Sequence, residues 1–126
     1  MKSFVSVAAL VNFIVTIWHL YLAEKLNPTI SMAESTRIAM FAGLLTLAGA
    51  ALLWTRRPKM GSLVLIAVFA IGLVIGSEEH FFIAGPNNVF DIGNGDWTLP
   101  FKISVALLVS LEVTGLSAAG RLLTRF

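Results

Sequence analysis

The stretch MGSLVLIAVFAIGLVIGS, residues 60–77, contains no charged side chain and no proline. It is continuously apolar rather than alternating, which does not suit a membrane-barrel strand whose side chains face lipid and lumen in turn. Its length is close to the ~20 residues with which an α-helix crosses ~30 Å of hydrocarbon. Three further stretches match it. Ser3 to Ala23 and Ile38 to Thr55 are uncharged, and Ile103 to Gly120 carries one charge, Glu112. All four prolines, Pro28, Pro58, Pro86 and Pro100, fall between these stretches, where a residue without an N–H does no harm. The sequence predicts an all-α fold: a single membrane domain over residues 1–126, an integral membrane four-transmembrane-helix bundle with helices near 3–23, 38–55, 60–80 and 101–120.

Composition points the same way. The 126 residues are 57% hydrophobic and only 13% charged, with a mean hydropathy of +0.87. A soluble domain is about a quarter charged and could not coat itself with so few polar groups. A disordered chain would be richer still in charge and poorer in apolar residues. The absence of cysteine excludes a disulfide framework, a thiolate nucleophile and a zinc finger. A net charge of +2, with no basic run longer than Arg56-Arg57, gives no surface for nucleic acid. The first stretch could in principle be a signal peptide. It exceeds the usual core of about 7–15 residues and ends in Trp18-His19-Leu20-Tyr21-Leu22, without small residues at a cleavage position, so a retained helix is expected.

With four spans, both termini share a side with the second loop. That side holds Lys2, Arg56, Arg57, Lys59, Arg121 and Arg125 and no acid, whereas Lys25, Arg37 and Lys102 share the other side with Glu24, Glu34, Glu78, Glu79, Asp91 and Asp96. The positive-inside rule therefore predicts cytoplasmic termini. Trp54 near one end, and Trp18 and Trp97 near the other, suit interfacial belts.

Polar side chains in hydrocarbon are costly and usually face the bundle interior or a wet cavity. Asn12, Thr16 and His19 lie at i, i+4 and i+7 and form one stripe. Gly72, Gly76 and Glu79 repeat that spacing, with His80 four residues after Gly76. Close approach at the two glycines is expected to carry Glu79 inward. His19, Glu79 and His80 are thus expected to converge near the outer leaflet. Glu112 stands alone at mid-span, about ten residues or ~15 Å from Lys102. Without a cationic partner it is expected to be a protonated acid that donates to Asn12, provided the first and fourth helices touch. This makes Glu112 the candidate catalytic acid, and His19, Glu79, His80, Asn12 and Thr16 the candidate ligand-binding residues.

No metal is assigned. A di-iron bundle needs Glu-x-x-His on two helices, and the adjacent Glu79-His80 pair points its side chains about 100° apart. A mononuclear site from His19, His80 and a glutamate is left open. Asp91, Asn94 and Asp96 are oxygen-rich, but their spacing does not match a calcium loop. They read as part of a turn-forming segment, residues 84–100.

Several features taken together resemble the DoxX-like family of small four-helix bacterial membrane proteins. His19 stands towards the end of the first helix, ahead of Leu26-Asn27-Pro28. The second helix is rich in small residues over Ala42 to Leu53, and Thr55-Arg56-Arg57-Pro58 makes a basic hairpin. His80 closes the third helix and Gly120-Arg121 the fourth. Family members often carry a glutamate inside the second helix, where this chain has Leu45-Thr46. The resemblance implies a bacterial inner-membrane protein associated with redox chemistry, since relatives include subunits of thiosulfate:quinone oxidoreductases.

Three functions follow as expectations. The first is a subunit or partner of a membrane redox system that binds a quinone or other lipophilic molecule near the outer leaflet. The second is a non-enzymatic accessory or assembly subunit of a larger membrane complex. The third is a small proton-coupled transporter working as a homo-oligomer. Dual topology, which the third would need, runs against the charge bias of six basic residues facing three.

Overall fold

Each apolar stretch winds into a helix that satisfies its own backbone, as hydrocarbon demands of any span that is not a closed barrel. The computed structural model describes residues 1–29 and 31–126. Helix α1 spans Lys2–Leu26, α2 Ala33–Leu52, α3 Pro58–Ser77 and α4 Thr98–Leu123, and one π-helical turn, Glu78–Phe82, continues α3 directly. All four helices are long and apolar enough to cross a membrane. Among the described residues there is no strand.

Helix α2 stops at Leu52, short of the expected residue 55, but elsewhere the helices overrun the uncharged stretches. Helix α1 takes in Glu24 and Lys25, and α2 begins early enough to take in Glu34 and Arg37. Charged side chains at a span's end can reach headgroup water without breaking the backbone ladder. Pro100 lies inside the first turn of α4 rather than before it, where the N–H it lacks has no helical partner anyway. The loop between α2 and α3 is tight. Trp54 and Thr55 donate their N–H groups to the carbonyls of Ala51 and Leu52, three residues back. The Thr55 hydroxyl then accepts the Arg57 N–H at 3.1 Å, and Pro58 opens α3.

Each helix packs on its sequence neighbours, and α4 closes the ring against α1. Ser62 Oγ donates to the Ala119 carbonyl at 2.7 Å between α3 and α4, and Trp54 Nε1, in the turn after α2, donates to Ser6 Oγ of α1 at 2.9 Å. Helices α2 and α3 approach closely at Gly61: a Cβ there would lie 2.6 Å from the Gly49 carbonyl oxygen. The apolar core is in two pieces. Val5, Ala9, Leu53, Leu65, Phe69, Ala118, Ala119 and Leu122 pack together towards the end that carries both termini. Leu22, Ala23, Val89, Phe101 and Val105 pack together at the far end.

Candidate functional site: a histidine pair

The far-end cluster frames two imidazoles. His19, on α1, and His80, on the π turn, are both buried, with ring centroids 4.9 Å apart and planes at 83°. Phe101 of α4 flanks both, 5.0 Å from the His19 ring and 5.9 Å from the His80 ring. Three helices and a loop therefore meet at one point.

His80 lies in the π turn that ends α3. Ile83 donates its N–H to the Glu78 carbonyl at 2.8 Å, an i→i+5 bond that fits one more residue into the turn than an α-helix would. His80, four residues after Gly76, is buried as helical counting predicts, whereas Glu79 is exposed. The expected convergence of Glu79 with the histidines is thereby corrected. The loop then clamps His80. Val89 N–H donates to the His80 carbonyl at 2.9 Å, and Nδ1 of His80 lies 2.8 Å from the Asn87 carbonyl oxygen. The loop's own polar residues make its turns: Asp91 Oδ2 accepts the N–H of Gly85, and Asn88 Oδ1 accepts that of Phe90. Gly85 has a φ of 155°, a conformation that side chains disfavour.

Hydrogen-bond direction sets the tautomers. A carbonyl only accepts, so His80 Nδ1 carries a proton and donates it to Asn87. Ser104 Oγ donates its single proton to the Phe101 carbonyl at 2.7 Å, so the 2.8 Å contact with His19 Nδ1 is an N–H donated to the serine oxygen. In each neutral ring Nε2 is then the lone-pair nitrogen, and no side chain or carbonyl among the described residues binds it. Comparison with family models, curated proteins and solved structures found no match. What the pair can do follows from those two lone pairs: each can accept a proton or a hydrogen bond, or ligate a metal. No group of three His, Asp or Glu side chains converges among the described residues, so a metal would find two protein ligands here.

The other candidates lie elsewhere. Thr16 donates its hydroxyl to the Asn12 carbonyl of its own helix at 2.8 Å. Asn12 is buried, about two turns or ~10 Å along α1 from His19. Glu112 is buried against α3, where a Cβ on Gly72 would lie 2.6 Å from its Oε1. Helices α1 and α4 do touch, yet no hydrogen bond joins Glu112 to Asn12 among the described residues, and Asn12 Oδ1 has no partner. The expected direct pair is not formed. Gly76 is not a packing contact either, since a Cβ there would meet only His80 Cδ2, at 4.0 Å. Two partners escaped the sequence reading. Ser104 is a hydroxyl in an otherwise apolar turn of α4, whereas Asn87 acts through a backbone carbonyl that carries no sequence signal.

Proposed function

We propose that this multi-pass protein resides in the bacterial inner membrane with both termini cytoplasmic, as a DoxX-like subunit or partner of a membrane redox system. In this reading the His19–His80 pair receives the head of a lipid-soluble ligand, with a quinol the best fit. The observation that carries it is the pair of uncommitted Nε2 atoms beside Phe101. A quinol offers two O–H donors, and its tail can lie in lipid between helices. On oxidation a quinol loses two protons and two electrons. One imidazole can take one proton, the second proton must pass on to water because two buried imidazolium charges 4.9 Å apart would repel, and the electrons would leave to the partner redox protein. A protonated Nε2–H then suits the quinone carbonyl that results. Mass spectrometry of ligand extracted from the detergent-purified protein tests this. Quinone or quinol at near-stoichiometric amounts, lost in His19→Ala and His80→Ala, is expected; its absence from the parent protein overturns the reading.

A second reading, an accessory subunit of a larger complex, draws on α2. That helix buries only Gly43, Thr46 and Gly49 within this chain, and Phe41 and Leu44 are 65% and 59% exposed. A partner helix could cover that face. Migration in native electrophoresis only as a small homo-oligomer would count against it.

A further inference from the structure

Helices α1 and α4 pack against each other through the core, but on their outer side they leave an apolar groove of about 280 Å³. Phe4, Val7 and Val11 of α1 form one wall, and Leu107, Leu111 and Thr114 of α4 form the other. Phe4, Val7, Val11 and Leu107 are 38–58% exposed, so the groove faces out of the bundle. Ser110 also borders it, but its hydroxyl is committed to the Ala106 carbonyl of its own helix at 2.7 Å. From Val11 to Phe4 the groove follows two turns of α1, ~10 Å. It offers a partner mainly hydrocarbon contact.

Positive charge gathers where the groove runs out towards the chain termini. Seven residues are close to two helical turns, so a face recurs at every seventh position with a drift of about 20°. At that interval Leu107 and Thr114 are followed by Arg121, and Leu111 and Ala118 by Arg125. Both arginines are exposed, and they continue the α4 wall of the groove beyond its end. Arg125 lies just past the helix, where its N–H, donated to the Leu122 carbonyl at 3.1 Å, keeps the chain winding. Helix α1 brings a third cation. His19 meets Ser104, and the antiparallel run from that contact sets Lys2 and Arg121, equally far along their helices, at one height. The packing of Val5 and Ala9 with Ala118, Ala119 and Leu122 agrees. Lys2 Nζ lies 5.7 Å from the ring centroid of Phe126, the neighbour of Arg125. No acidic residue falls within residues 1–23, 38–77 or 113–126, so this end of the bundle has no counter-charge of its own.

We propose that the α1–α4 groove is a binding site for one anionic phospholipid, with an acyl chain in the groove and the headgroup phosphate on Arg121 and Arg125. Lys2 adds its charge beside them. A guanidinium takes phosphate oxygens in a bidentate fork, and a basic pocket between helices at the membrane surface suits an anionic headgroup. A partner helix could cover the apolar walls, but it would leave the cations unanswered unless it carried acids at that one height. A zwitterionic lipid would bring a cation of its own to the same place. The headgroup end is the end opposite the histidine pair, and the site stands whether or not that pair binds a quinol.

Lipid titration of the detergent-purified full-length protein, read by native mass spectrometry, tests the proposal. The probes are dioleoyl-phosphatidylglycerol and dioleoyl-phosphatidylcholine, which share their tails and differ in headgroup charge. One phosphatidylglycerol per chain should bind more tightly than phosphatidylcholine. The double variant Arg121→Gln/Arg125→Gln should weaken it about thirtyfold, the attraction of two basic residues to an anionic surface. Arg56→Gln/Arg57→Gln, in the α2–α3 turn and outside the groove, should leave binding unchanged. Val11→Trp should fill the groove and abolish binding without altering any charge. Equal binding of the two lipids, or equal loss in the Arg56/Arg57 variant, overturns the proposal, because hydrocarbon or general surface charge would then account for it. A lipid-free dimer as the sole species overturns it too, since a second copy would hold the groove.

Discussion

The imidazoles of His19 and His80 meet edge to face, 4.9 Å between centroids, although 61 positions of sequence separate them. Each is held by its Nδ1, one on a serine of α4 and the other on a loop carbonyl. Nitrogen NMR of the histidine side chains should therefore show both neutral rings as Nδ1–H tautomers. In Ser104→Ala the His19 signal should shift while the His80 signal holds. Loss of that hydrogen bond should cost about 1 kcal/mol of stability.

Gly72 and Gly76 of α3 should respond in opposite ways. Alanine at Gly72 would place Cβ 2.6 Å from the Glu112 carboxyl, whereas alanine at Gly76 meets nothing nearer than 4.0 Å. Gly76→Ala should be neutral or stabilising by up to ~1 kcal/mol, the helix propensity gained. Gly72→Ala should lower the thermal midpoint and shift the infrared carboxyl band of Glu112.

Gly61→Ala should be the more damaging helix substitution, because its Cβ would meet backbone atoms, Gly49 O at 2.6 Å and Leu53 N at 2.7 Å. Backbone cannot swing aside as a side chain can, so α2 and α3 must separate. A loss of about 1–3 kcal/mol is expected, read as a lower melting temperature in detergent.

Glu79→Gln should leave ligand retention unchanged, since Glu79 points away from the pair and is exposed. His80→Ala should abolish it. Equal loss in both variants would return Glu79 to the site.

Reversing Arg56, Arg57 and Lys59 together should disturb insertion or orientation, as each basic residue contributes ~1 kcal/mol of attraction to anionic headgroups. Reporter fusions at the carboxyl terminus read the outcome directly. An unaltered cytoplasmic signal would mean that Lys2, Arg121 and Arg125 suffice.

Four spans, the tight Thr55–Pro58 turn and the shared side of the termini were legible from residues 60–77 and their three counterparts. The cost of placing a charge or an unpaired peptide group in hydrocarbon is a local property, and it can be summed along the chain without knowing any contact. His19 and Asn12 could be singled out in the same way, as polar groups at a depth where they cost energy. Which of these groups would meet could not. Simple helical counting aimed both Glu79 and His80 inward, and only His80 is buried. Ser104 and the Asn87 carbonyl entered only once α4 and the far-end loop had packed, and the same packing kept Asn12 and Glu112 from pairing directly. A helix's angular position depends on every residue per turn and on its neighbours' ridges, so side-chain meetings across helices are decided by tertiary structure.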